Sequence, residues 1–183
     1  MNEKDLIKKC LDGDSVAQRC LYDQFGPQLM GLCMRYTGLR EDAEEVFHDS
    51  LMKVFKNLDK FQGGSSLKTW INRIGVNTAL DFLRKRKNAL LVEHISDSSL
   101  DIKDTVIEQE ICFEAEVAMK LMHKMPLNQQ IIINLFVIDE LSHKEIAAQL
   151  NISEEASRSQ YSRAKRTLTE LVKTKLNTNE QQR

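Results

Sequence analysis

The sequence predicts an all-α protein: two small helical domains, residues 1–88 and 113–183, joined by an acidic linker over 89–112. Three observations carry that prediction. Only 7 glycines and 2 prolines interrupt 183 residues, so long stretches contain no helix breaker. Apolar residues recur at helical spacing through both halves. Between them, one segment has no sustained period and a strong excess of acid. A composition of 42% hydrophobic and 29% charged residues excludes a disordered chain. The length suits one ordinary domain or two small ones.

The first helical pattern runs from Leu6 to Tyr36, with Leu6, Ile7, Cys10 and Leu11, then Val16, Ala17, Cys20 and Leu21 on one face. Gly13-Asp14 is expected to break it into two short helices, with Leu29, Leu32, Cys33 and Tyr36 continuing in the next. A further helix opens near Arg40-Glu41-Asp42, whose acids suit the positive end of the helix dipole. Ala43, Val46, Phe47, Leu51, Val54, Phe55 and Leu58 form its apolar stripe, and Asp42, Glu45 and Asp49 its other face. Phe61-Gln-Gly-Gly-Ser-Ser66 is a loop by its turn chemistry. From Leu67 a helix runs through Trp70, Ile71, Ile74, Ala79, Leu80 and Leu83 to Arg84-Lys85-Arg86-Lys87. The linker comes next, with six acids (Glu93, Asp97, Asp101, Asp104, Glu108, Glu110) against Lys103.

Four helices are expected beyond it. Phe113 to Met125 ends at Pro126. Leu127 to Asp139 turns Ile131, Ile132, Leu135 and Phe136 inward. Ser142 to Leu150 and Glu154 to about Lys175 complete the set. The last two form the sharpest local signal. Ser142 with Glu145 makes a capping box. Asn151 stands where the chain must turn tightly and tolerates the left-handed conformation. Ser153 caps the next helix, and Glu154-Glu155 suit its first turn. That helix would bury Tyr161, Ala164, Leu168 and Leu171 and show Arg158, Ser159, Ser162, Arg163, Lys165 and Arg166. A short turn and a cationic second helix describe a DNA-binding helix-turn-helix. An ordinary αα-hairpin with a solvated face is the alternative. The charge favours the former: Arg158 to Lys175 holds six cations against Glu170.

The formal net charge is −1, so affinity for nucleic acid must come from local patches. Arg40 to Ser50 holds five acids and one Arg, and Lys68 to Lys87 six cations and one acid, Asp81. Two basic blocks imply two phosphate-facing surfaces. The first also has Phe61 and Trp70 beside a Gly-Gly-Ser-Ser loop. Exposed aromatics beside cations suit unstacked bases, although the helical period alone also fits Trp70 as core. The four histidines are scattered and the four cysteines form no CxxC pair, so no metal site or cofactor is expected. The cysteines read as small buried hydrophobes in a reducing cytosol. No run of 18 apolar residues predicts a membrane span, and Met1 to Asp5 does not read as a signal peptide.

Together these segments resemble the extracytoplasmic-function group of the sigma-70 family. Asp42-Ala-Glu-Glu-Val-Phe-His-Asp-Ser-Leu51 looks like that family's region two core-binding helix. Phe61-Gln-Gly-Gly-Ser-Ser-Leu-Lys-Thr-Trp-Ile-Asn-Arg-Ile-Gly-Val-Asn77, then Asp81-Phe-Leu-Arg84, looks like its minus-ten segment. Met125-Pro126, Leu141-Ser-His-Lys-Glu-Ile-Ala147 and Arg163-Ala-Lys165 look like region four. The resemblance implies a subunit of RNA polymerase with no catalytic chemistry of its own. Asp42, Glu45, Val46, Asp49 and Leu51 would dock on the β′ coiled coil of core polymerase, and region four would meet the β flap. Phe61, Gly63, Ser65, Ser66, Lys68, Trp70 and Asn77 would hold an unpaired minus-ten base, with Arg73, Arg84, Lys85, Arg86 and Lys87 on strand phosphates. Ser153, Arg158, Ser159, Gln160, Ser162, Arg163 and Arg166 would face the minus-thirty-five duplex of promoter DNA. The acidic linker would thread the polymerase cleft, and an anti-sigma factor would restrain the free protein in the cytoplasm. A stand-alone helix-turn-helix regulator is the competing reading. His48 departs from the family's usual Gln, and Glu155, Ala156 and Ser157 from its Gly-Thr-Val.

Overall fold

The computed structural model describes residues 2–90 and 115–180, and the chain divides into two units, Met1–Ser96 and Asp97–Arg183. Every regular element among the described residues is helical. None of these helices is long and apolar enough to cross a membrane.

In the first unit α1 spans Glu3–Leu11, started by Asn2, whose side chain accepts the Asp5 N–H at 2.8 Å. Gly13 takes a left-handed φ of +81°, and Asp14 then accepts the N–H groups of Val16 and Ala17, at 2.8 and 3.2 Å, to open α2. The break at Gly13-Asp14 is therefore where the sequence puts it. The second helix is not short, however. α2 runs unbroken over Ser15–Thr37, through Pro27, before Gly38 closes it with a φ of 76°. A proline inside a helix costs about 3 kcal/mol. Leu21, Phe25, Leu29, Leu32, Cys33 and Tyr36 lie buried on both sides of Pro27. At roughly 1.5–3 kcal/mol for each large apolar side chain, their burial outweighs it.

α3 (Arg40–Lys56) and α4 (Leu67–Leu90) both pack on α2 and on each other. A single 3₁₀ turn, Leu58–Lys60, and the loop 61–66 connect them. Ser66 starts α4 by accepting the Thr69 N–H at 3.1 Å. Gly75 sits where α4 crosses α2: a Cβ there would stand 2.5 Å from Leu29 Cδ1. α4 reaches Leu90, so the first two residues of the expected linker are helical. Residues 91–114 lie outside the described residues, and the remainder of the linker reading with them. Cys10 and Cys33 are buried as expected, and burial pushes the Cys33 thiol up to about 12. Cys20 is half-buried, and Cys112 lies outside the described residues.

The second unit packs α5 (Ala115–Met122), α6 (Leu127–Ile133) and α7 (His143–Leu150) against the long α8 (Glu154–Glu180). The helix expected to run to Asp139 changes its winding. Asn134–Ile138 is a π segment in which the Asp139 N–H reaches back to the Asn134 carbonyl at 2.8 Å. The wider turn shifts the inward face. Ile132, Ile133, Asn134 and Leu135 are buried, whereas Ile131 and Phe136, expected inward, are only half-buried. Among the described side chains of α8 the buried positions are Ser157, Ala164 and Val172. Tyr161, Leu168 and Leu171 are half-buried.

Candidate nucleic-acid interface

The loop after the 3₁₀ turn exposes Gln62, Gly63, Gly64, Ser65 and Ser66 together. Gly63 adopts a φ of 74°, which a side-chain-bearing residue rarely takes, so the loop can turn back without bulk. Phe61 and Trp70 close its base edge to face, with ring centroids 5.6 Å apart. Both rings are half-buried. Trp70 is thus neither fully buried nor a free ring: it is half-buried, with Phe61 against it.

From Trp70, Arg73 and Asn77 stand three and seven positions on, on one face of α4 at 3.6 residues per turn. Arg73 and Asn77 are exposed, as are Lys68, Arg84, Lys85 and Arg86. Lys87 continues the helix, and its side chain lies outside the described residues. Two of these cations have acid partners. Arg84 meets Asp81 at 3.1 Å. Arg86 donates to Asp42 of α3, a pairing across 44 residues of sequence. One expected phosphate contact and one expected polymerase contact therefore hold each other. Sequence spacing carries no signal for that.

The docking set expected on α3 divides by burial. Val46 and Leu51 are buried at 1% and 8% exposure, inside the packing of α3 on its neighbours. Their place in the apolar stripe of α3 was the signal. Glu45 and Asp49 remain exposed, and the same face carries His48 and Met52, the latter 71% exposed and absent from the sequence-based set. Asp42 is half-buried under Arg86.

In the second unit the helix-turn-helix has the caps the sequence calls for. Ser142 and Glu145 form the full capping box. Asn151 adopts φ 56°, ψ 50°, and the Ile152 N–H closes on Ala147 at 3.0 Å. Ser153 Oγ accepts the Ala156 N–H at 3.0 Å to start α8. On α8, Arg158, Ser159, Arg163 and Arg166 are exposed with Ser153, and Ser162 is half-buried. Gln160 is half-buried too. At 100° per residue it falls beside the inward stripe and away from Arg158. Arg163 donates to Ser159 Oγ at 3.1 Å, and Arg166 lies 3.9 Å from Glu170.

The two glutamates that open α8 differ. Glu154 accepts from Arg158 one turn on. Glu155 is exposed, and its carboxyl is held below the usual range by its own backbone N–H, then by Ser153 and Arg158. Ser157 is fully buried and meets His143 Nδ1 at 3.0 Å. His143 also stacks on Phe136, centroids 4.4 Å apart, with Tyr161 against both. Burial, then the nearby Arg158 charge, lowers the imidazole's affinity for a proton, and Glu154 opposes them. Residues 157 and 143 form a matched pair. A serine at an inward spacing was the available signal, because a buried hydroxyl demands a partner.

Comparison with known proteins gives this arrangement a family. The sigma-70 region 2 family matches residues 21–89, and the sigma-70 region 4 family matches residues 115–168. The chain is 28% identical over 159 residues to the ECF RNA polymerase sigma factor SigW of Bacillus subtilis, covering 81% of this chain and 85% of that protein. It is 26% identical over 175 residues to the ECF RNA polymerase sigma-E factor of Haemophilus influenzae, covering 90% and 92%. The fold resembles that of the sigma factor RpoE from Bartonella quintana, solved in complex with the anti-sigma factor NepR, with a TM-score of 0.57, 24% identity and coverage of 85% and 96%. With both regions matched in chain order, and with proteins named as ECF sigma factors matching it over most of its length, the chain belongs to the extracytoplasmic-function group of sigma-70 RNA polymerase sigma factors.

Proposed function

We propose that this sigma factor divides promoter recognition between its two units. The exposed acids Glu45 and Asp49, with His48 and Met52 beside them, dock on the β′ coiled coil of core polymerase. The loop 61–66 and the Trp70–Arg73–Asn77 face of α4 take an unpaired base of the minus-ten element. The outward face of α8 meets the minus-thirty-five duplex, and its unit rests on the β flap. An anti-sigma factor restrains the free protein in the cytoplasm; the complex of the Bartonella protein supports that partner.

The observation that carries the reading is the site at the start of α4. An open loop of small polar residues faces outward beside a half-accessible Trp70, with Asn77 exposed two turns along. Asn offers a donor and an acceptor to a base edge. A flipped base costs a few kcal/mol to extrude and needs such a pocket to offset it. Asn77→Ala in holoenzyme should leave the closed complex intact, since duplex DNA presents no flipped base. Strand opening should fall by about tenfold, corresponding to ~1.4 kcal/mol of lost contact. Permanganate reactivity of unpaired thymines measures it, with run-off transcription from the same template. Normal opening by Asn77→Ala would remove the base pocket from this site. Specific binding of promoter duplex by the chain without core polymerase would favour a stand-alone regulator instead.

A further inference from the structure

The first turn of α8 places two carboxylates beside the cations that meet duplex DNA under the function proposed above. Glu155 serves the helix start, through its backbone N–H and Ser153. Glu154 instead accepts a hydrogen bond from Nη2 of Arg158. The side chains of Glu154 and Arg158 are 39% and 64% exposed, so the pair contributes little to stability. Its effect is orientation. The guanidinium has five N–H donors, and this contact engages one side of it. The stem of Arg158 also rises from a fixed point, because Ser157 beside it is fully buried and bonded to His143 Nδ1 at 3.0 Å.

A phosphate accepts an arginine in many rotamers, as a charge. The N7 and O6 atoms of guanine require two N–H groups, in plane and correctly placed. We infer that Glu154 is a positioning residue for base choice: its carboxylate holds Arg158 lengthwise on α8, presents the remaining guanidinium edge to a guanine, and withholds that side chain from the phosphates. The inference rests on α8 being the duplex-reading helix. It assigns an acidic residue inside a DNA-facing turn a role in specificity at some cost in general affinity.

The test uses holoenzyme assembled from core polymerase and the full chain, with a duplex pool randomised across the minus-thirty-five element. Glu154→Ala should lower base preference at one position by about 2- to 10-fold, the effect of releasing one immobilised long side chain. The same variant should steepen log affinity against log salt by about 0.9, as Arg158 moves to a phosphate and displaces a counterion. Arg158→Ala should erase preference at that same position, and the double variant should be no flatter than Arg158→Ala alone. Glu154→Gln, a weaker neutral acceptor, should fall between wild type and Glu154→Ala, and it carries the test if the alanine variant folds poorly by circular dichroism. Full retention of preference in Glu154→Ala, or additive losses in the double variant, overturns the proposal. If Arg158→Ala changes preference at no position, the assignment of α8 fails first, and this inference falls with it.

Discussion

The two units solve the same problem, a small helical core, by different means. The first fills its interior with apolar side chains from four helices. Its buried polar groups, Ser50 and Thr78, each close on the carbonyl four residues back, Val46 at 2.6 Å and Ile74 at 2.8 Å. Thr78 also accepts from Lys53 Nζ of α3 at 3.1 Å, but both hydroxyls already have a partner one turn away. Among the described residues the second unit has fewer buried apolar side chains; its buried Ser157 on α8 pairs with His143 on α7, and Asn134 is buried inside a π segment. It also holds Glu140 at φ 55° and Asn151 at φ 56°, the two positive-φ residues among those described that are not glycine. The contrast teaches where each unit is vulnerable. The first should fail by packing errors and the second by loss of specific pairs and by backbone strain.

The largest expected effect tests that contrast directly. Ile146 of α7 is fully buried in the smaller core. Ile146→Ala should cost about 2–5 kcal/mol, the usual range for emptying such a site. A small helical unit has little more stability than that to lose. Hydrogen exchange should therefore show α6 to α8 losing protection while α2 to α4 keep theirs. Loss of protection in both units at once would make them one cooperative body and end the comparison.

Gly75→Ala probes the packing side. Alanine gains about 1 kcal/mol of helix propensity over glycine. Against that, its Cβ would stand 2.5 Å from Leu29 Cδ1 and 3.4 Å from Leu32 Cδ2. Leu29 is fully buried and cannot swing into solvent. Overpacking of this kind costs about 1–3 kcal/mol. The net should be destabilising by up to about 2 kcal/mol, read as a lower denaturation midpoint of the first unit. A stabilised variant would show that α4 can slide on α2.

Ser157→Val probes the pairing side. It puts an apolar group into an inward position, yet it strands the His143 ring nitrogen. Ser157→Val should cost about 1–2 kcal/mol, and adding His143→Leu should recover part of the loss, a coupling visible in a double-mutant cycle. The pair also sets a pH dependence. His143 lies at the N-terminus of α7, against Phe136 and Tyr161, with Arg158 and Glu154 facing it from α8. Its folded affinity for a proton is lowered below the ordinary imidazole value of 6.5. The stabilisation is therefore complete above about pH 6.5 and is lost as pH falls below it, because the unfolded chain takes up the proton first. Thermal melts of the second unit at pH 7.5 and 5.5 should differ more in wild type than in His143→Leu.

The same contrast explains what could be read from the residues alone. Signals confined to a few neighbours were legible: the Gly13-Asp14 break, the Ser142–Glu145 box, the turn at Asn151, the Ser153 cap and the open loop at Gly63. Each is decided by backbone sterics or by a hydrogen bond within one turn. The continuous α2 was not legible, because Pro27 is overruled by packing that no local window contains. The π segment shifted the inward face for the same reason. Arg86 with Asp42, and His143 with Ser157, join residues that only the fold brings together. The burial of Val46 and Leu51, named with the docking set, was already legible in their apolar spacing.

The smallest effect is also the one with the opposite sign. Glu140 stands between the π segment and the Ser142 cap, where the chain must reverse within three residues. It does so with a left-handed φ of 55°. For an L-residue with a Cβ that conformation costs roughly 1–2 kcal/mol, and glycine adopts it without the clash. The Leu141 N–H still closes on the Leu135 carbonyl at 2.9 Å, so the surrounding bonds hold the turn in place. Glu140 itself is exposed, so removing its side chain empties no core site. Glu140→Gly should therefore stabilise the second unit. Relief of the strain is partly offset by the greater freedom of glycine in the unfolded chain, leaving a gain of about 0.5–1 kcal/mol. Denaturant melts of the variant should show a raised midpoint with an unchanged slope. A lowered midpoint would mean that the Glu140 side chain supports the turn more than its backbone strains it, and the account of this unit as limited by strain would have to rest on Asn151 and the buried pairs instead.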